Sequence, residues 1–309
     1  MPINTLEYAK LFQSELDKQV AQQATSGWME ANAGQVKYNG GDEIKIPDIV
    51  VQGLADYDRD TGFNRGSVTF KFQTHKLLMD RGRTFQIDAM DVDETNFGAT
   101  VANILAEFQR LQVIPEIDAY RYSKLAALAV TADQFEEYTP AVDTILTKLL
   151  SHIYTLADVG LDLAQLVIPI SYKAYEVLVN NTSIQKRLDV SQFAQGGINL
   201  SVRTLEGIPL IPVSSSRMKS AYVFNDGATT GQEAGGFAAD AAAVDINWLV
   251  MAKSTPVGIA KTDVIRIFDP MTNQDANAWK IDYRKYHDLI IPDNKLVTVH
   301  ASLTPAAAG

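Results

Sequence analysis

The chain contains no cysteine, which excludes disulfides, thiolate nucleophiles and cysteine-ligated zinc and fits a reducing compartment. No uninterrupted apolar run approaches the ~18 residues that a membrane-crossing helix needs. The opening MPINTLEYAKLFQSELDKQ also lacks the basic-then-apolar layout of a secretory signal, so the chain is expected to stay in the cytoplasm with no membrane partner. Positive charge is scarce as well. The formal net charge is −10, and the scattered Lys and Arg form no stripe that could neutralise a phosphate backbone, so tight nucleic-acid binding is not expected. The four histidines, His75, His152, His287 and His300, show no zinc-type pairing, and no glycine loop of the Walker or dinucleotide kind is present. No cofactor and no metal are expected.

What is present is enough apolar residue to bury a sizeable core, 46% of 309 residues, with helical and extended periodicities in separate blocks, an α+β pattern. Tyr8, Phe12, Leu16 and Val20 recur at the helical interval, and ATSGWMEANAGQ then breaks the pattern. From Val36 to about Met90 the period is two. Val68, Phe70 and Phe72 oppose a run through Ile44, Ile46, Ile49 and Val51, with the polar tip DYDRDTGFNRG between them. Arms of about a dozen residues would give a hairpin of roughly 40 Å, marginal on its own in water and expected to be ordered by lying across another subunit.

Asp93 or Thr95 opens a helix whose apolar face runs through Val101, Leu105, Phe108 and Leu111. Pro115 implies a kink or a restart before Ile117, Tyr120, Leu125 and Leu128 continue it, for about 28 residues and ~40 Å. A second helix is expected from an N-cap at Thr139 and Pro140 to Gly160 just past its end, with Val142, Ile145, Leu146, Leu149, Ile153 and Leu156 inside. A buried strand, Leu166 to Ile170, a short helix near Tyr175 and strands in NLSVRTLEGIPLIPV follow. The stretch Asn225 to Val244 is poor in large apolar residues and reads as a mobile surface loop. The final runs INWLVMAK, DVIRIF and DLIIPDNKLVTVHASL read as strands closing back on the long helix.

Four fragments have the look of chemistry. Gly40-Gly41-Asp42-Glu43 resembles a cyclase signature but sits too near the start of the chain and reads as a turn before a strand. Asp56, Asp58 and Asp60 alternate like calcium ligands, yet Thr61 stands where the turn wants glycine and Ser67 where a glutamate should close the site. Asp88, Asp91, Asp93 and Glu94 are read as helix-start carboxylates favoured by the N-terminal dipole. Ser216 and Lys219 have the Ser-x-x-Lys spacing without its companion motifs. No catalytic residue is assigned.

The segments GGDEIKIPDIVVQGLADYDRDTGF, DRGRTFQIDAMDVDETN, EFQRLQVIPEIDAYRYSKLA, LEGIPLIPVSSSRM and YRKYHDLIIPDNK together resemble the major capsid proteins of tailed phages of Gram-positive bacteria, over most of the chain. The resemblance implies an α+β capsid fold. Residues 1–35 would be the N-terminal arm and 36–90 the extended loop. Residues 91–130 and 246–309 would form the peripheral domain with its spine helix, and 131–245 the axial domain. It further implies a structural protein, not an enzyme, self-assembling through pentamers and hexamers into an icosahedral shell that encloses double-stranded DNA without binding it specifically. Portal, separate scaffolding and decoration proteins would be its partners, the host cytoplasm its place of assembly and the virion its destination. Inter-subunit contacts would come from Tyr8, Phe12, Leu16, Ile46, Val51, Tyr57, Phe63, Arg65, Phe70 and Phe72. The alternatives are an encapsulin-like protein nanocompartment and a cytoplasmic metal-dependent hydrolase using the acidic cluster near Asp91.

Overall fold

The computed structural model describes residues 24–35, 37–38, 43–60, 62–88, 104–181, 184, 188–195 and 198–306. The expectations for Tyr8, Phe12 and Leu16, for Gly40 to Asp42, and for the helix start at Asp93 or Thr95 fall outside these residues.

A 3-10 stretch, Gly27–Gln35, leads into β1 (Lys37–Tyr38), β2 (Glu43–Val51), β3 (Val68–Lys76) and β4 (Met79–Asp88). The chain is then helical from residue 104 to residue 131, roughly 40 Å at 1.5 Å per residue. The helical run continues through Pro115 without a break. Proline has no N–H, and its ring collides with the carbonyl four residues back. Here the helix swells into a π turn, Gln109–Val113, where the Ile114 N–H donates to the Gln109 carbonyl five residues earlier, and α1 (Ile114–Thr131) follows with proline in its first turn. The wide turn rotates the apolar face, so Leu105 is fully buried while Leu111, expected on the same face, is exposed.

Next come β5 (Phe135–Glu137) and α2 (Ile145–Asp158). This helix starts later than Thr139 and Pro140 suggested: Thr144 occupies the N-cap without capping the helix through its side chain, which bonds the Tyr138 hydroxyl at 2.8 Å, and that hydroxyl accepts from the Ala141 amide at 3.0 Å. Its end is where expected, with Gly160 at φ +95°. β6 (Leu166–Ser171), α3 (Tyr172–Val179), β7 (Leu188–Gln195), β8 (Ile198–Leu205) and β9 (Ile208–Val213) complete the middle of the chain. β10 (Tyr222–Phe224), β11 (Phe237–Ala239), β12 (Ile246–Ala252), β13 (Val257–Phe268), β14 (Ala278–Ile290) and β15 (Val299–Leu303) follow.

The main sheet has seven strands in the order β5-β15-β12-β6-β9-β8-β7. Its central strands β12, β6 and β9 are buried on both faces and sort their side chains by alternation. Ile246, Leu249 and Met251 of β12, Val167 of β6 and Ile211 of β9 pack toward α1 residues Tyr122, Leu125 and Ala129. Trp248 and Val250, Ile168 and Ile170, and Leu210 turn to the α2 and α3 side, against Leu149, Ile153 and Leu178. Of the strands after residue 246, β12 and β15 hydrogen-bond into the sheet of the 131–245 block, while β13 and β14 form a separate one with β4, in the order β13-β14-β4.

The stretch expected as a mobile loop has a defined course. β10 and β11 pair at its ends. Asp226 accepts from the Ala228 and Thr229 amides and the Thr229 hydroxyl, which hold its carboxyl down at about 2. Arg81 on β4 donates to the Asn225 and Gly236 carbonyls at 2.7 and 3.1 Å. Polar bonds supply what the missing apolar side chains cannot.

A buried polar cluster joins the segment at residues 24–30 to α1. Asp118, fully buried, accepts from the Thr25 amide and hydroxyl, the Ser26 amide and hydroxyl, and Arg217. Arg121, also fully buried, donates to the Ser26 carbonyl and pairs with Glu30 at 2.5 Å, which helps hold that carboxyl below its ordinary value against the opposing effect of burial. The same segment crosses β13 at Gly258, where a Cβ would come within 3.3 Å of the Met29 and Glu30 backbone.

Candidate assembly surface

β2 and β3 pair antiparallel from Glu43↔Lys76 to Val51↔Val68. Nine residues at ~3.3 Å give an arm of about 30 Å, shorter than expected because pairing stops at Val51. Its root is fixed in its own chain: Ile44, Ile46 and Leu77 are buried with Val257, Ile259, Tyr286 and Ile290 of β13 and β14. Ile46, expected as a contact residue, is buried in this root. Pro47 lies beyond β1, whose partners are Lys45 and Ile44; β2 is there a sheet edge, where the missing N–H is tolerated.

Above the root the arm is bare. Ile49, Val50 and Val51 on β2 and Val68, Phe70 and Phe72 on β3 are all exposed, which places exposed apolar side chains on both faces of the ribbon. Ile49 stands opposite Phe70 and Val51 opposite Val68, while the Phe70 and Phe72 rings meet edge to face at 4.9 Å. At the tip, Leu54, Tyr57 and Phe63 are exposed, Phe63 at 87%, and the Tyr57 and Phe63 rings lie 4.9 Å apart. Arg65 is exposed beside them. The tip is tied internally. Asp58 and Gly62 exchange backbone bonds of 2.8 and 3.3 Å with Gly62 at φ +84°, Asn64 donates to the Asp56 carbonyl, and Gln52 bonds Ser67. Asp58 caps the Asp60 amide, so the alternating aspartates shape a turn.

Of the ten sequence-predicted contact residues, the structure thus gathers Val51, Tyr57, Phe63, Arg65, Phe70 and Phe72 on one exposed arm. It adds Ile49 and Val68, which the alternation in the sequence names as strand residues, and Val50 and Leu54, which it does not. Eight apolar side chains left more than half in water, with Phe72 just under half, represent on the order of 10 kcal/mol of gross burial if covered, before the costs of association.

The chemistry-like fragments resolve differently. Lys219 pairs with Asp245, and the Ser216 hydroxyl bonds that of Ser214 at 2.8 Å. His152 and His300, far apart in sequence, stack at 4.0 Å between ring centroids. His152 accepts from the Trp248 indole at Nδ1 and therefore carries its proton on Nε2, 2.7 Å from Glu136. Burial, then neighbouring His152, pushes His300 down to about 4. No group of three or more potential metal ligands occurs among the described residues.

No protein-family model and no curated protein matches the sequence. Solved structures do. The chain superposes on the mature capsid of bacteriophage PhiM1 with a TM-score of 0.57 at 14% identity, covering 86% of this chain and 83% of that one. For the capsid of cyanophage P-SCSP1u the values are 0.56 and 13%, covering 88% and 86%, and for a structure from Gordonia phage Cozz 0.54 and 15%, covering 86% and 82%. At these identities the likeness speaks for the backbone arrangement, and on that ground the chain has the fold of phage capsid proteins.

Proposed function

We propose that the chain is the major capsid protein of a tailed phage, a subunit that builds a closed icosahedral shell around double-stranded DNA and catalyses nothing. The observation that carries the reading is the arm: a two-stranded ribbon with apolar side chains exposed on both faces has no stabilising core of its own and gains one by lying on another copy. Many modest contacts of this kind, repeated around a closed surface, add up through multivalency. The net charge of −10 suits a wall that must hold and release DNA rather than bind it. Residues 1–35 serve as an arm and 36–90 as the extended loop. The main sheet with α2 and α3 is the axial body, joined by β12 and β15, and the long helix with β4, β13 and β14 is the peripheral one. Assembly proceeds in the host cytoplasm with separate scaffolding and portal proteins, and a decoration protein where the shell needs one.

Replacing residues 49–70 by a short turn tests this without disturbing the root at Ile44, Ile46 and Leu77. The expected product melts like the full chain but elutes as a small species, with no shells in negative stain; normal particles from it overturn the reading. Purified particles of the full chain that contain protein cargo and no DNA would favour the nanocompartment instead.

A further inference from the structure

Helix α2, strand β5 and strand β15 meet at one corner of the main sheet, over β12, and several of the side chains that meet there ionise. Glu136 of β5 pairs with Lys148 of α2 and accepts the Nε2 proton of His152 on the same helix. At its other ring nitrogen His152 accepts from the Trp248 indole of β12 at 3.0 Å. His300 of β15 lies against the His152 ring, 4.0 Å between centroids, with its own Nδ1 buried and unpartnered. Tyr138, just past β5, packs on Trp248. Two imidazoles and a lysine are thus gathered around the single carboxylate of Glu136.

That arrangement is complete only while both rings are neutral. A further proton on His152 has to enter at Nδ1, where the Trp248 N–H already points, so the bond is lost and two donors face each other. A charged His300 must donate from both nitrogens, and its Nδ1 has no acceptor. With both rings charged, two stacked cations stand beside Lys148 against one carboxylate, and like charges that close in a half-buried site repel strongly. Burial, and then His152, hold His300 down at about 4; burial lowers His152 as well, although Glu136 opposes it. Both shifts favour the closed corner above the ordinary histidine pKa, and that preference is lost as the pH falls toward 4.

The strand that supplies the carboxylate is lightly held. β5 is the outermost strand of the sheet, three residues long, paired on one side from Ala301↔Phe135 to Leu303↔Glu137. We infer that Glu136, His152 and His300 form a proton-operated latch, which fastens α2 and β5 to β15 while the rings are neutral and releases them in acid. The inference goes beyond the shell-building reading, because the latch lies within one folded subunit. In a shell, acid would loosen the axial body and leave the root of the arm, on β13 and β14, in place.

Hydrogen exchange of the full chain at pH 7 and at about pH 4.5, corrected for the intrinsic rate, tests this. In acid, residues 145–158 and 299–303 are expected to lose protection by more than ~tenfold, as a histidine that titrates near 4 when closed and near 6.5 when open requires. Residues 114–131 and 278–290 are expected to keep theirs, and His300→Gln to remove most of the loss. Unchanged protection at 145–158 and 299–303 overturns the inference. So does a loss that His300→Gln leaves as large as before, or one shared equally by 114–131 and 278–290, which would assign the acid effect to His287 of β14 or to global unfolding. Should His300→Gln fail to fold, His300→Phe, which keeps a ring without a titrating nitrogen, takes its place and is read in the same way.

Discussion

Asp118 is a single carboxylate on which the attachment of residues 24–30 to the long helix depends. It receives four hydrogen bonds from Thr25 and Ser26 at 2.6 to 3.2 Å and one from Arg217 at 3.1 Å, with no exposed surface of its own. Asp118→Ala leaves two amides, two hydroxyls and a guanidinium without their acceptor, the Ser26 groups in a buried site and the Thr25 and Arg217 groups partly open to water. Breaking a buried, hydrogen-bonded ion pair by removing one partner costs about 3–5 kcal/mol, a large share of the ~5–15 kcal/mol that holds a typical domain together. Asp118→Asn keeps the shape and one acceptor oxygen and should lose roughly half as much. In urea unfolding of disassembled subunits followed by circular dichroism, the alanine variant is expected to shift the midpoint down by on the order of 1 M with the slope unchanged. Hydrogen exchange should show the Thr25 and Ser26 amides opening first. A loss below about 1 kcal/mol, with those amides still protected, would mean that desolvation of the carboxylate cancels its bonds and that other contacts hold the segment.

Three further outcomes are expected. Ile46→Asp should unfold or strongly destabilise the subunit, by about 3 kcal/mol or more, whereas Val51→Asp should leave its melting unchanged and impair assembly; sedimentation and melting curves separate the two. Gly82→Ala places a Cβ 2.9 Å from the Tyr283 carbonyl across the β4–β14 pair and should cost about 1–3 kcal/mol, read as a lower denaturation midpoint. For pH, His300 is depressed in the folded chain to about 4, so the unfolded chain binds more protons between that value and about 6.5. Stability is therefore full above about 6.5 and falls as the pH drops toward 4, and His300→Gln should flatten the fall in melting temperature between pH 7 and pH 5.

The arm was legible because its signal is local. Val68, Phe70 and Phe72 alternate, the tip is polar and glycine-punctuated, and Gly160 marks a helix end through its positive φ. What could not be read was set by partners far along the chain. β12 is buried on both faces, so INWLVMA carries no alternation to say which sheet receives it. The pairing of β15 with β12 and β5 is decided by register across the whole molecule. Asp118 and Arg121 look like the solvated side of a helix until Thr25, Ser26 and Arg217 close over them. The π turn at Gln109–Val113 was visible only as a proline that a straight helix could not absorb. Of the candidate surface, the arm's apolar residues could be named from the sequence, but its buried root could not, since β2 meets β13 and β14 only in three dimensions.

The pairing of β15 has a consequence for timing. It lies between β5 and β12, which leave the ribosome well before it, and at ~5–20 residues per second those strands wait seconds with open edges. Until Val299–Leu303 arrives, the main sheet stays open at β5 and β12 although the arm is already rooted on β13 and β14. A partly translated polypeptide thus adds unpaired strand edges to an exposed apolar ribbon, two sticky surfaces at once.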